Sequence, residues 1–535
     1  MHKIAKQVLE HRLGPEAAAA YRPPDGSQLA PPGVANMTQG AMLIDRALVN
    51  KRPIEIHCDY DADGNTSAAL MYGFIKQSCP DATVEVYVAN RSEGYGYRFV
   101  SKHPGSLKIL LDCGSNDREG VETSVSLGHE VVILDHHQIG SVNCIGLHNV
   151  VLVSTQLAGT TEPMSNLCTA GIAWYMCATL RSRFAADKGG IIEYADPSGF
   201  SPYAAIGTIA DVCYMDTNNR ALVATGLRRL ASDPGQGLSA LCDAFYIRPP
   251  VSSKDISFGL IPAINAPGRL GDARPAFEAM AFGTKPAIAA LRAANKKRKE
   301  LQDKYVSDAI PMAEKKSWMP FVIVSSDQWQ SGLVGIIAGR LAQSYRRPAA
   351  AVAIEGDIGR GSVRGVPGVD VVEVLRAAER ATGEECFLKL GGHAMAAGFT
   401  VKADKLALVE AELAAAKIEY QPIHIDPDLM VLDVGQLNQD LIESIDELGP
   451  FGPGWRYPSF YTPDWKVASV SQGARGSMEM MVRRGNIEHK AVSFGWTGDL
   501  PKAGQKVDLT YEFERDTYHG GTRLVVSNGI AVRTY

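Results

Sequence analysis

What the chain lacks narrows its function before any motif is read. No apolar run reaches the ~18–20 residues that cross a bilayer, and the opening MHKIAKQVLEHRLG has no apolar core of the secretory kind. No membrane role is expected, and a cytoplasmic location is. The nine cysteines are scattered, odd in number and without a C-x-x-C pair, which points to reduced thiols rather than disulfides or a zinc knuckle. No G-x-x-x-x-G-K-[ST] phosphate loop is present, so a helicase or kinase is disfavoured. There is no excess of positive charge either: 54 Lys and Arg face 59 Asp and Glu, for a net −5. Affinity for nucleic acid comes mostly from phosphate neutralisation, so any such groove must be a local basic feature. Internal repeats and low-complexity tracts are absent.

What is present is the length and texture of a multidomain globular enzyme. At 535 residues the chain exceeds one hydrophobic core, and roughly three or four domains are expected. Residues 1–36 read as a leader helix and linker without a role of their own. From Met37 a helix (Met37–Asn50) leads into an apolar strand (Pro53–His57), and strand-like runs recur between helical stretches at Val84–Ala89, Lys108–Leu111, Glu130–Leu134 and Val150–Val153. This alternation predicts an α/β fold with a parallel sheet, whose ligands collect at the carboxyl ends of the strands. A charged stretch over 274–317 reads as a long connecting helix, and its run Asn295-Lys296-Lys297-Arg298-Lys299 is either a solvated face or a phosphate contact. A second α/β unit occupies 318–415. Alternating segments within 416–535 (KVASVSQ, MEMMVRR, KAVSFGW, KVDLTYEF, TRLVVSNGIAV) predict a small β-barrel of the OB type.

The chemistry concentrates at the predicted strand ends. HCDYDADGNTS places His57, Asp59, Asp61 and Asp63 just past one strand. Three aspartates so close repel one another unless a cation lies between them, although an Asp- and Gly-rich turn that only caps the next helix has the same look. LLDCGSND ends a strand on Asp112, VVILDHHQIG ends another on Asp135, His136 and His137, and AIGTIADV adds Asp211. Mixed carboxylate and imidazole donors without a cysteine set favour Mn²⁺ or Mg²⁺. Two such ions, bridged by one carboxylate, suit in-line displacement at phosphorus.

Taken together, His57, Asp61 and Asp63 in H-x-x-x-D-x-D spacing, the lone Asp112, the Asp135-His136-His137 triplet and Asp211 resemble the DHH phosphoesterase superfamily. Within it, DYDADG is similar to the RecJ group of single-strand-specific 5′-to-3′ exonucleases. INAPGRLGDA, GLVGIIAGRL, GRGSVRGVPGVD, KLGGHAMAAGF and LGPFGPG resemble further motifs of that group in the same order. The resemblance implies a DHH catalytic domain over 37–273, a DHHA1-type substrate-binding domain over 318–415 that closes on the active site, and an OB-fold-like nucleic-acid-binding domain over 416–535. It implies two ions, one held by His57, Asp61 and Asp112 and the other by Asp63, Asp112, His136 and Asp211, with Asp112 as the bridge. His137 would face the scissile phosphate or hold a ligand in place, Asp59 would be a further ligand or support one, and Asp135 would orient an imidazole or simply cap the strand end. The substrate would be single-stranded DNA, cut to 5′-mononucleotides in repair and recombination by a monomer. A single-strand-binding protein or a recombination helicase would be its partner.

Grip on that substrate is expected from Arg269 in the turn PGRLG, Arg364 in GSVRG, and Gly391, Gly392 and His393 in GGHAMAAG, where small residues admit an anion to the backbone. A plain turn with a solvated His393 is the alternative reading of the glycines. Trp455, Tyr457, Phe460, Tyr461 and Trp465 are candidates for stacking bases or for the barrel core. Two departures from the family pattern stand out: Gln330 or Ser331 occupies the place of a usual histidine, and Trp455-Arg456-Tyr457 replaces an Asn-Pro-acidic run. The alternatives are a DHH enzyme for short oligonucleotides, which would lack the GRL segment and barrel, and an inactive DNA-binding scaffold, which would have lost ligands.

Overall fold

Runs such as LKILL and EVVILD are apolar at nearly every position, as suits a strand covered on both faces. The computed structural model describes residues 1–420, 426–473, 477–494, 500–516 and 520–532. In it the first such runs form β1 (Ile54–Cys58), β2 (Val84–Val88), β3 (Leu107–Leu111), β4 (Glu130–Asp135) and β5 (Val150–Ser154). All pair in parallel, in the order β2-β1-β3-β4-β5. Helices Met37–Val49, Ala62–Ser78, Arg118–Ser126 and Thr169–Phe184 accompany the sheet. The strand order reverses between β1 and β3, so a crevice opens at their carboxyl ends. Every acidic motif of the sequence that follows a strand lies on that edge.

The chain divides into two compact units. One comprises 22–297 with 448–457, and the other 1–21, 298–447 and 458–535. The first holds the parallel sheet. In the second, β6 (Val322–Ser326), β7 (Ala349–Glu355), β8 (Ile358–Arg364), β9 (Phe387–His393) and β10 (Ala396–Lys402) form a mixed sheet in the order β6-β7-β8-β10-β9. Its core packs Phe321, Ile323, Val352 and Phe399 against Val371 and Leu375 of helix Val371–Thr382 and Val409 and Leu413 of helix Leu406–Ala415.

The carboxyl-terminal strands are β11 (Leu429–Met430), β12 (Ser459–Gln472), β13 (Met478–Arg484), β14 (Ile487–Ser493), β15 (Lys506–Arg515) and β16 (Thr522–Val532). β12 pairs with both β13 and β15, and β16 joins β14 to β15, so five strands close into a barrel without a free edge. Phe460 and Trp465 are fully buried in its core. The last residues of KAVSFGW, Gly495 and Trp496, lie outside the described residues.

Three expectations need correction. The connecting stretch is two helices, Arg274–Phe282 and Lys285–Glu314, because Gly283 takes a φ of 61° and ends the first of them. The segment Trp455-Arg456-Tyr457 groups with the first unit, not with the barrel. There the indole N–H of Trp455 donates to the Leu448 carbonyl at 2.8 Å and the Arg220 guanidinium lies 4.2 Å from its ring centre. The leader is not inert: helix Lys3–Leu13 buries Ile4, Ala5, Val8 and Leu9, and Arg12 grips Asp428 through two bonds of 2.6 and 2.8 Å. Among the described residues no helix is long and apolar enough to cross a membrane.

Candidate metal centre

β1 runs out at Cys58 into Asp59, Tyr60 and Asp61, β3 runs out at Leu111 into Asp112, and β4 ends on Asp135 before His136 and His137. The N–H groups of Asp59 and Asp112 continue the sheet ladder to the carbonyls of Leu111 (3.2 Å) and Leu134 (3.0 Å), which fixes where both side chains start. Asp112 holds a φ of 65°, a left-handed conformation that aspartate tolerates better than most residues.

Asp61 caps the helix Ala62–Ser78 by accepting from the N–H of Asp63 (2.9 Å) and Gly64 (3.1 Å). Gly64 is required there, since a Cβ would come within 2.6 Å of the Asp59 carbonyl. Asp63 is buried, and its two oxygens accept from the N–H groups of Thr169 (2.8 Å) and Ala170 (2.9 Å) at the start of helix Thr169–Phe184. The Thr169 hydroxyl donates to Asp112 Oδ1 at 3.0 Å. Gly207 lets helix Ser201–Ala210 approach, because a Cβ there would lie 2.7 Å from Asp63 Oδ1.

Two imidazoles complete the group. His136 Nε2 lies 3.4 Å from Asp112 Oδ1 and 4.0 Å from Asp63 Oδ2, and its Nδ1 lies 3.7 Å from Asp211 Oδ2. His137 Nδ1 is 2.8 Å from Asp135 Oδ1, which also accepts from the His137 N–H. The Tyr95 hydroxyl donates to the Asp112 carbonyl at 3.0 Å and sits 2.9 Å from His137 Nδ1.

The electrostatics of this group call for cations. Burial and mutual repulsion push the carboxyls of Asp59, Asp61 and Asp112 above the usual range, and Asp63 and Asp211 up to about 6. Burial opposes charge on the imidazoles, but the surrounding carboxylates outweigh it, raising His136 well above its ordinary value and His137 to about 9. Asp59 Oδ1 is buried with no hydrogen-bond partner. Donor atoms of Asp59, Asp61 and Asp112 lie within 4.8 Å of one another, as do those of Asp112, His136 and His137. Asp112 is common to both sets. The oxygen-rich donors with one or two imidazoles fit hard divalent ions.

The expected site residues divide as follows. Asp59, Asp61, Asp63, Asp112, His136, His137 and Asp211 come together. His57 does not: it lies within β1, stacked on Tyr87 with ring centres 4.7 Å apart, and its Nε2 is 3.5 Å from the Lys108 ammonium. Burial and that ammonium hold its pKa at about 3. Asp211 caps the carboxyl end of helix Ser201–Ala210 rather than a strand. Arg269 is on helix Ile261–Leu270, not in a turn. That helix meets the site because Gly268 approaches the Tyr60 carbonyl and accepts from Arg91 Nε at 3.1 Å. Arg364, Gly391, Gly392 and His393 belong to the second unit. There GGHAMAAG is a β-hairpin, with Ala396 of β10 paired to both Arg364 and His393. Thr169, Tyr95 and Arg91 were not legible as site residues, since CTAG and RSEGYG carry no metal-ligand spacing.

Comparison with known proteins places family domains on three stretches of the chain. The family model "DHH family, N-terminal domain" matches residues 53–197, "DHHA1 domain" matches 319–417 and "RecJ OB domain" matches 430–527. Residues 53–197 are thus a DHH-type domain. The chain carries the domain set of RecJ, as the sequence motifs implied. It is 29% identical over 437 residues to the single-stranded-DNA-specific exonuclease RecJ of Bacillus subtilis, matching 78% of this chain and 52% of that protein. It is 29% identical to the protein of the same name from Thermus thermophilus, over 84% of this chain and 66% of the relative. The chain therefore spans about half to two thirds of the length of these two relatives. The crystal structure of Thermus thermophilus RecJ in complex with Mn²⁺ shares the fold, with a TM-score of 0.78 and 24% identity over 99% of this chain and 78% of that one. A manganese-bound exonuclease RecJ matches 72% of this chain and 95% of its own, at 28% identity and a TM-score of 0.59.

Proposed function

We propose that the chain is a metal-dependent exonuclease that shortens single-stranded DNA from its 5′ end and releases 5′-mononucleotides, in repair and recombination. The observation that carries this is the gathering of five aspartates and two histidines from four separate segments at one sheet edge, in a chain whose relatives are single-stranded-DNA-specific exonucleases. Asp59, Asp61 and Asp112 would hold one ion, and Asp63, Asp112, His136 and Asp211 the other, with Asp112 between them. Two such ions, Mn²⁺ or Mg²⁺, would supply the positive charge that neutralises a phosphodiester and acidifies water beside it.

The protein's own groups prepare the site. Asp63 is held from behind by two helix amides, so its remaining lone pairs point in a fixed direction. Thr169 fixes Asp112 in the same way. His137, steadied by Asp135 and Tyr95 at the partly exposed mouth, is placed to meet a phosphate oxygen. Arg91 and Arg269 flank Tyr60 on the same rim and are suited to phosphate contacts. Arg364 and His393 are offered for the 5′ end, and the closed barrel for the following nucleotides. The nine free cysteines fit a cytoplasmic setting. Single-strand-binding proteins and recombination helicases are the partner classes that go with this reading.

The test is cleavage of single strands labelled separately at either end, with Mn²⁺, beside duplex DNA and an Asp112→Ala control. Early release of the 5′ label as mononucleotide, absent from duplex and control, is expected. Release from the 3′ end, or action on di- to tetranucleotides alone, would overturn the polarity or the substrate. No cleavage with intact strand binding would make the chain a scaffold.

A further inference from the structure

Single apolar residues facing solvent are ordinary, but here several stand in a row that begins beside a proposed metal ligand. Asp211 is followed by Val212 and Tyr214, which are 65% and 55% exposed. Met215 donates its N–H to the Pro453 carbonyl at 2.7 Å, and the Tyr214 ring covers Gly454 so closely that a Cβ there would lie 2.5 Å from it. The same segment accepts the Ser253 hydroxyl on the Phe451 carbonyl at 3.1 Å and has the Lys254 ammonium 4.0 Å from the centre of the Tyr457 ring. Segment 451–457 thus ties residues 253 and 254 to 214 and 215. A π-helical turn follows, Ile256–Leu260, which buries Ile256 and Leu260 and leaves Phe258 79% exposed. Gly259 of that turn sits against Ile247, since a Cβ would lie 2.9 Å from Ile247 Cδ1, and the neighbouring Tyr246 is 75% exposed. Val212 and Tyr246 take φ values of 54° and 59°, a left-handed conformation that β-branched and bulky residues avoid. Such strain, like a π turn, clusters at sites of function.

We propose that Tyr214, Tyr246 and Phe258 form a stacking track for the unpaired bases of a single strand whose end lies at the metal centre. The fate of that strand rests on the nuclease reading above, whereas its binding does not. Two observations favour nucleic acid over a protein partner. The row starts one residue from Asp211, so a ligand that covers it also reaches the acidic centre, and its exposed groups are chiefly rings, which stack on bases of any sequence. Cations border it as well: Lys254 on Tyr457, and Arg248, which is shared with Asp243 at 2.6 Å, suit the phosphates between bases. In a duplex the faces of the bases are already taken by their neighbours. A track of this kind therefore reads strandedness rather than sequence, a selectivity that metal ions alone do not give.

The test is a binding cycle on the full-length protein carrying Asp112→Ala, so that nothing is cut. Fluorescence anisotropy reads its affinity for a labelled oligothymidylate and for the same strand made abasic beyond its 5′ end. Loss of the bases is expected to weaken binding, and adding Tyr246→Ser with Phe258→Ser is expected to shrink that penalty by at least about tenfold, because two ring contacts are already gone. Stacking elsewhere on the chain enters both sides of the comparison and cancels. Affinity for the abasic strand is expected to stay within about twofold, which also reports that the serine variant folds. Tyr246→Trp with Phe258→Trp is expected to keep the full penalty. An equal penalty in the parent and the serine variant, whether or not overall affinity falls, overturns the track. A smaller penalty in a chain whose wild type never cleaves supports the track and overturns only the nuclease reading. Cleavage of single strands by the wild type together with an equal penalty supports the nuclease reading and overturns the track.

Discussion

Thr169 is the residue on which the two halves of the centre meet: its hydroxyl holds Asp112 and its amide holds Asp63, and it is fully buried. Thr169→Val keeps the shape and removes the donor. Cleavage is expected to fall on the order of 10–100-fold, mostly through weaker Mn²⁺ dependence, and Thr169→Ser is expected to restore most of it. Metal titrations of kcat for the three proteins decide the matter, and equal losses in Val and Ser variants would rule out the hydroxyl. His57 offers the opposite case. Because it lies away from the acidic group, His57→Gln is expected to lower thermal stability but leave Mn²⁺ affinity within about twofold, while Asp59→Asn weakens it at least about tenfold. The spacing H-x-x-x-D-x-D made His57 look like a ligand. Its position inside β1 decides otherwise, since side chains within a strand follow the pleat and only residues past its end are free to turn inward.

Among the elements, β1 and β3 share a buried ion pair that no motif announces. Glu55 and Lys108 are both fully buried and meet at 2.7 Å. Burial alone would push Glu55 up, but the Lys108 ammonium, the Lys102 amide and the Ser101 hydroxyl outweigh it and hold it at about 2. Lys108→Met leaves a buried carboxylate without its cation and is expected to cost about 3–5 kcal/mol at neutral pH, seen in urea unfolding. The folded pKa is below the unfolded one, so this stabilisation is present above pH ~4.5 and is lost as pH falls toward about 2. The gap between wild type and variant is therefore expected to narrow across that window.

Element type was readable where periodicity survived. β1 to β5 and the barrel strands carry the apolar runs or alternation that strands need. Asp211 was misplaced at a strand end because SPYAAIGTIA is buried at nearly every position, which erases the helical period. PGRLG reads as a turn from its composition, yet Pro267 and Gly268 are tolerated inside a helix whose close approach to Tyr60 requires the glycine.

For the whole molecule, the three-domain order and the metal chemistry followed from motifs, while what joins distant segments did not. The row of rings at Tyr214, Phe258 and Tyr246, and the grip of Arg12 on Asp428, depend on neighbours that only the fold supplies. Chelation is expected to abolish cleavage without unfolding the chain, because the parallel sheet has its own apolar core. Far-ultraviolet dichroism before and after treatment with a chelator checks this.

The division of the chain into a nearly continuous unit and one assembled from three segments has a bearing on time. Residues 22–297 contain every group of the proposed metal centre, whereas helix Lys3–Leu13 finds its partners, Asp428 and Ser444, more than four hundred positions later. Loop closure over such a span is slow compared with pairing of neighbouring strands and helices. On refolding, amides of β1, β3 and β4 should become protected from hydrogen exchange first, and those of Lys3–Leu13 last. During synthesis that helix, although made before the segments it packs on, must wait for more than four hundred further residues before it has a surface to rest on.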